Sequence, residues 1–102
     1  MSRLVQIGYN PGFPVETRDY WKYSPYTRPP EWLTDYARIR EITKWPVLDT
    51  GTGDTGDTYV LGPTGEKIVS VPNGGWILRG HIPGTFIGIS TKQKNLLYVE
   101  KD

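Results

Sequence analysis

The sequence predicts one small α+β domain that is mostly β. Its length of 102 residues suits a single domain and is too short for two ordinary ones. Between residues 59 and 89, short apolar runs alternate with turns rich in glycine and proline. Helical periodicity is confined to the stretch before Pro46 and to the C-terminal segment. We therefore expect an antiparallel meander or a partly open barrel of about four to six strands, one helix near 30–44 and a short C-terminal helix.

The meander is predicted from runs of β-branched and aromatic residues that are bounded by turn formers. These runs are 59–61, 67–71, 76–79 and 85–89. Asn73-Gly74, between the second and third runs, is the strongest hairpin signal in the chain. Alternation places Trp76 and Leu78 on one face of their strand, with Ile77 and Arg79 on the other.

The segment 13–30 combines four prolines with a dense set of rings. It follows a first strand expected at 3–9 and a turn at 10–12. Its proline content argues against a long helix or a central strand. Two interpretations remain open. The segment is a loop that covers the sheet with its rings, or it is a recognition surface, because Tyr, Trp and Arg dominate interface hot spots.

A helix is expected to follow, because Pro29 and Pro30 suit the first turn of a helix and Trp32 begins an apolar pattern at helical spacing. Pro46 ends that pattern. A strand at 37–42 is the alternative, since Ile39 and Ile42 are β-branched.

Residues 46–48 favour a short strand, and the Gly/Asp-rich segment 49–57 reads as a flexible solvated loop. The loop formally contains the dinucleotide fingerprint at Gly51, Gly53 and Gly56. That fingerprint requires a helix after it, whereas a strand follows here and Asp54 would repel phosphate. The spacing of the loop's carboxylates is also not that of an EF-hand.

The C-terminal segment carries a capping signal. Ser90 or Thr91 is able to cap a short helix that bears Leu96, Leu97 and Tyr98. An edge strand at 95–100 is the alternative.

Composition restricts the class of protein. Lys+Arg 12 against Asp+Glu 11 gives a net charge of +1, which disfavours duplex nucleic acid and allows self-association into a homo-oligomer. The absence of cysteine excludes disulfides and thiolate metal sites. No apolar run approaches the ~20 residues of a membrane span, and the first residues lack a signal-peptide core. We expect an intracellular protein with no membrane partner.

The C-terminal half contains, in this order, Gly65-Glu66-Lys67, the run from Pro72 to Gly80, Gly84-Thr85-Phe86 and Leu97-Tyr98. This series of segments resembles a small module common in tailed-phage accessory proteins. The chain departs from that pattern at Gly75, where Asp is usual. The resemblance implies a phage origin, a β-rich fold and a location in the host cytoplasm, and it supplies no catalytic residues.

The sequence contains no motif typical of a catalytic or metal-binding site. His81 is the only histidine and lies in a turn beside Pro83, without a motif that supplies a nucleophile and an orienting carboxylate. With no cysteine, zinc would have only carboxylates besides this one histidine. We therefore expect no enzymatic activity, no cofactor and no metal.

The leading hypothesis is a binding protein that modulates a host protein through an aromatic and arginine-rich surface. The residues expected to form that surface are Tyr20, Trp21, Tyr23, Tyr26, Arg28 and Trp32. One alternative is a binder or sponge for a small ligand such as a nucleotide signal, acting as an oligomer, with Lys67, Arg79 and His81 lining its site. Another is a single-strand nucleic-acid binder that uses the same rings together with Lys22.

Overall fold

The computed structural model describes residues 3–6, 17–72 and 74–101, with side chains from 19 to 72 and from 74 to 96. Most of the described elements are short strands. They are β1 (Arg3–Gln6), β2 (Thr17–Arg18), β3 (Tyr20–Lys22), β4 (Ile39–Ile42), β5 (Pro46–Leu48), β6 (Thr50–Thr52), β7 (Thr58–Leu61), β8 (Lys67–Val71), β9 (Trp76–Arg79), β10 (Phe86–Ile89) and β11 (Tyr98–Lys101). The helices are α1 (Glu31–Thr34) and α2 (Thr91–Leu97). The predicted fold class, mostly β with two helical segments, is confirmed.

All described pairings are antiparallel, and the strands form open sheets rather than a closed barrel. The strand orders are β11-β1-β2, β10-β9-β3, β4-β5 and β6-β7-β8. The four runs of the predicted meander are therefore strands β7 to β10. The strands are shorter and more numerous than expected. Each has two to five residues, and the chain turns between them or passes from one sheet to another. The expected end of the first strand, the turn at 10–12, Phe13 and Asn73 lie outside the described residues.

The helix expected near 30–44 is confined to α1, and the alternative strand is present as β4. Helix α1 starts after Pro30, which provides no side-chain hydrogen bond to the first turn. The helix therefore lacks the stabilisation that an N-cap side chain gives. Beyond it, Ile39 pairs with Leu48, and Ile42 pairs with Pro46. Pairing with β5 and the β-branched side chains of β4 prevail over the helical periodicity.

The Gly/Asp-rich segment expected to be a flexible loop instead forms a hairpin. Strand β6 pairs with β7, with Gly51 opposite Tyr59, and Gly53 N–H donates to the Asp57 carbonyl at 2.8 Å. A Cβ at position 51 would lie within 2.5 Å of the Tyr59 ring. Glycine at position 51 therefore leaves room for the Tyr59 ring to lie over strand β6. Interpreting this segment as a loop did not reveal this role.

A hairpin was expected at Asn73-Gly74, but β8 and β9, on either side of this position, do not pair with each other. Strands β8 and β9 belong to different sheets, and β8 packs instead against β10. Gly74 has φ +72°, and Gly75 N–H donates to the Pro72 carbonyl at 2.7 Å. The chain thus turns tightly here, as the sequence predicts, but passes to a new sheet.

Strand β9 lies between two apolar clusters, as the predicted alternation requires. The larger cluster contains Leu33, Ala37, Leu48, Val60, Val69, Val71 and Ile77. The smaller contains Leu78 and Ile89, with Tyr20 and Trp76 packed against them. Because Trp21 lies next to Tyr20 in β3, its ring faces the larger cluster.

The C-terminal segment contains both of the elements that the sequence allowed. Gln93 N–H donates to Ser90 Oγ at 3.1 Å, and Ser90 N–H donates to Gln93 Oε1 at 3.0 Å. This reciprocal pair is a capping box, which starts α2. The helix is followed by β11, which pairs with β1. Leu96 is 67% exposed and does not pack onto the sheet.

Candidate functional site

A groove lies between the segment that follows β3 and the β4–β5 hairpin. It has a volume of about 80 Å³. Half of its lining residues are aromatic residues and prolines, namely Trp21, Tyr23, Pro25, Pro29, Trp45 and Pro46. Val47 and Leu48 add apolar surface, and Ser24, Thr27, Arg40 and Thr50 add polar groups. The groove therefore combines apolar faces with a few hydrogen-bonding groups.

One wall of the groove is anchored to the sheet of β9. Trp21 pairs with Ile77 in the β3–β9 ladder, and Tyr23 N–H donates to the Gly75 carbonyl at 3.2 Å. The Trp21 and Tyr23 rings meet edge to face, with centroids 5.6 Å apart at 79°. Trp21 Nε1–H donates to Thr27 Oγ1 at 3.1 Å, which ties the loop back onto its strand. This wall is preorganised rather than a flexible arm.

The opposite wall is the tip of the β4–β5 hairpin. Thr43 N–H donates to the Trp45 carbonyl at 3.2 Å, and Leu48 at the far end of β5 is buried in the larger cluster. Trp45 is half-buried. Among the described residues, neither the Trp45 indole N–H nor the Tyr23 hydroxyl has a hydrogen-bond partner.

Exposed aromatic and basic side chains lie next in sequence to the lining residues, and we call them the rim of the groove. Tyr26 is 84% exposed, and its backbone N–H donates to Ser24 Oγ at 3.1 Å. Arg28 and Lys44 are exposed and form no salt bridge within the described part of the chain. Arg40 pairs with Glu41 at 3.2 Å. A partner that approaches the groove meets a ring and net positive charge.

The six residues expected to form a protein-binding surface are distributed over three places. Trp21 and Tyr23 line the groove, and Tyr26 and Arg28 belong to its rim loop. Tyr20 lies on the other face of β3, with its ring centroid 5.2 Å from that of Trp76. The Trp32 ring stacks on the Phe86 ring, with their centroids 6.0 Å apart, and neither residue lines the groove. The half-buried rings also pack on the core, so the covering-loop interpretation holds in part.

Sequence reasoning did not anticipate the contribution of the hairpin. Arg40, Trp45 and Pro46 line the groove, although the sequence placed Arg40 on a helix and Trp45 just beyond its end. The signal that was present is the Trp45-Pro46 dipeptide, which repeats the ring-plus-proline composition of the segment 13–30.

The residues of the small-ligand alternative lie on the β6–β8 sheet, at the end of β9 and in the turn that follows β9. Lys67 Nζ lies 4.3 Å from the centroid of the Tyr59 ring, on the β6–β8 sheet. Arg79 Nη1 pairs with Asp19 Oδ2 at 3.4 Å, at the end of β9. His81 lies in the turn between β9 and β10. The groove includes none of these three side chains.

Within residues 3–6, 17–72 and 74–101, no helix has the length and apolar character that a membrane crossing needs. No group of three or more His, Cys, Asp or Glu side chains in those ranges is placed to hold a metal ion. No protein-family model, curated protein or solved structure matches this chain.

Proposed function

We propose that this chain is a phage accessory protein that binds a host protein in the host cytoplasm and modulates it without catalysis. The groove between the loop after β3 and the β4–β5 hairpin is the binding face. The observation that carries the proposal is the combination of a ring-lined groove with an exposed Tyr26 and Arg28 at its rim. Tyr, Trp and Arg are the side chains that contribute most at protein interfaces.

The size of the groove supports a protein partner over a small ligand. Pockets for small ligands are commonly ~300–1,000 Å³. A volume of about 80 Å³ accommodates one anchoring side chain of a larger partner. The surrounding rim would then supply the rest of the interface.

The test is capture of a partner from a bacterial host lysate on the immobilised full chain, with the partner then purified and titrated. The informative variant is Tyr26→Ala combined with Arg28→Ala. Both side chains are exposed, so their removal leaves the fold in place. Partner affinity should fall at least about tenfold.

The matched control is Ile82→Ala combined with Lys92→Ala. It also removes one apolar and one basic exposed side chain, both from outside the groove lining. This control should bind as the unmodified chain does. Equal binding by all three chains would contradict the proposed face, and failure to retain any host protein would contradict the proposed function.

A further inference from the structure

The walls of the groove limit the backbone conformation of what binds there. Pro25, Pro29 and Pro46 have no N–H group, so these walls offer few donors to an added β-strand. Ring faces and pyrrolidine rings instead give apolar surfaces onto which a proline ring packs. Segments in the polyproline II conformation dock on aromatic-lined grooves of this kind.

The hydrogen-bond donors that line the groove also suit a segment in the polyproline II conformation. A polyproline II segment has no internal hydrogen bonds, so its carbonyls are free to accept. The Trp45 indole N–H and the Tyr23 hydroxyl have no partner among the described residues. They are therefore the donors that such carbonyls would meet. The volume of about 80 Å³ suits a small ring such as that of proline.

The charge around the groove indicates which residues flank the prolines of the bound segment. The segments 23–29 and 39–48 contain three basic residues, Arg28, Arg40 and Lys44, and one acidic residue, Glu41. They therefore carry a net charge of +2, whereas the whole chain carries +1. Arg28 and Lys44 have no salt-bridge partner in the described part of the chain. Acidic side chains on the occupant would complement this rim.

We infer that the groove binds an extended segment of the partner protein in which prolines are flanked by Asp or Glu. This inference rests on the proposed function and specifies its ligand. The ring geometry favours a peptide over single-stranded nucleic acid. Trp21 and Tyr23 meet edge to face at 79°, so the pair does not offer two parallel faces to consecutive stacked bases.

The test is a fluorescence-anisotropy titration of the full chain against labelled probes of known chemistry. The test probe is a peptide of Pro-Pro-Glu repeats. A Pro-Pro-Lys peptide reverses the charge, a Gly-Ser-Glu peptide keeps the charge without the prolines, and oligo-dT represents single-stranded nucleic acid. The Pro-Pro-Glu peptide should bind at least about tenfold more tightly than each of the other three.

Variants then locate the binding in the groove. Trp45→Phe keeps an aromatic ring, although a smaller one, and removes the indole donor, so it should weaken the Pro-Pro-Glu complex several-fold. Trp45→Ala should weaken it at least about tenfold. Lys44→Glu should weaken the same complex, whereas Lys92→Glu, the same charge change on exposed α2, should leave it unchanged. If Trp45→Ala fails to fold, the phenylalanine and charge variants carry the test.

Three results would overturn the inference. The first is equal affinity for the Pro-Pro-Glu and Gly-Ser-Glu peptides. The second is tighter binding of oligo-dT that depends on Trp45. The third is self-association, seen by sedimentation and abolished by Trp45→Ala, which would make a second copy of the chain the occupant. If peptides fail while partner capture still depends on Tyr26 and Arg28, the inference is wrong and the proposed function stands.

Discussion

Gly88 of β10 lies directly against the backbone carbonyl of Ser70 in β8. A Cβ at position 88 would overlap the Ser70 carbonyl oxygen and would also lie 3.3 Å from Val71 Cα. These neighbours belong to the backbone, so no rotamer change relieves the overlap. The contact brings the β10-β9-β3 sheet onto the β6-β7-β8 sheet, and the larger cluster lies between strands of both.

Gly88→Ala should therefore destabilise the domain by about 3 kcal/mol, because two packed strands must separate. The matched control is Gly53→Ala, where the nearest atom to an added Cβ is the Asp57 carbonyl oxygen at 3.7 Å. That variant should change the free energy of unfolding by no more than ~0.5 kcal/mol. Urea denaturation of both variants is the measurement. Equal stability would show that the sheets adjust to the methyl group.

The ion pair between Arg38 and Asp49 reinforces a junction of three strands. Arg38 Nε lies 2.7 Å from Asp49 Oδ2, and backbone hydrogen bonds link Arg38, Asp49 and Leu61 in a ring. Because the pair is partly exposed, a double-mutant cycle with Arg38→Met and Asp49→Asn should give a coupling energy of about 1 kcal/mol. The coupling should shrink in high salt. The exposed Arg40–Glu41 pair, treated the same way, should show a smaller coupling.

Glu66 gives stability a dependence on pH. Hydrogen bonding from the Thr64 hydroxyl, the largest cause, holds the pKa of Glu66 below its usual value of 4.5, and backbone N–H groups add to the effect. A depressed folded-state pKa contributes stability above the unfolded pKa, and this contribution is lost as pH falls through the folded pKa. Glu66→Gln should therefore be less stable than the unmodified chain at pH 7, with the difference vanishing in acid.

The measurement is denaturation of both chains from neutral pH to below 4.5, the usual pKa of the carboxyl. Thr64→Val is the companion variant, because it removes the hydroxyl and leaves the carboxyl in place. It should reduce the slope of stability against pH in the acid range. An unchanged slope in Thr64→Val would assign the shift to the backbone donors instead.

Thr91 joins α2 to the corner before β9. Trp76 Nε1–H donates to Thr91 Oγ1 at 3.2 Å, and the Thr91 hydroxyl donates to the Gly74 carbonyl at 2.8 Å. Thr91→Val keeps the shape and removes both bonds, so it should cost about 1 kcal/mol of stability. Hydrogen exchange should also speed up in α2. Thr52→Val, at an exposed strand position, is the control and should leave α2 protection unchanged.

The rings near the groove should separate into two classes by their effect on stability. Trp21 packs against the larger cluster, so Trp21→Ala should lower the free energy of unfolding by about 2 kcal/mol. Tyr26 is 84% exposed, and Tyr26→Ala should change it by less than ~0.5 kcal/mol. Thermal denaturation followed by circular dichroism distinguishes them. If both variants were equally destabilised, Tyr26 would be part of the core and not of the rim.

Local pattern was sufficient for much of the fold. The apolar runs of the meander became strands, Ser90 and Gln93 formed a capping box, and Ile77 and Leu78 faced opposite clusters as alternation requires. Helical periodicity around Trp32 and Tyr36 was misleading, because it did not reveal that β4 has β5 as a partner. A pairing partner several residues away outweighs weak local propensity.

The candidate site was predictable only in part. The ring and proline content of the segment 13–30 marked the part of the chain that supplies one wall, because composition is visible without coordinates. The second wall was not visible, since Trp45 lies near Trp21 only after the β4–β5 hairpin folds against the core. Tyr20 and Trp21 pack against different clusters because successive side chains of a strand point to opposite faces. This was not predicted, because the segment was expected to be a loop.

By itself, the sequence determined which segments extend, where most turns fall, and that rings, prolines and cations concentrate before Pro46, because these properties depend on near neighbours in the chain. Tertiary structure alone decided that β8 packs against β10 at Gly88 and that Trp45 and Trp21 line one groove. These contacts join residues far apart in sequence, and their geometry is set by packing around the larger apolar cluster.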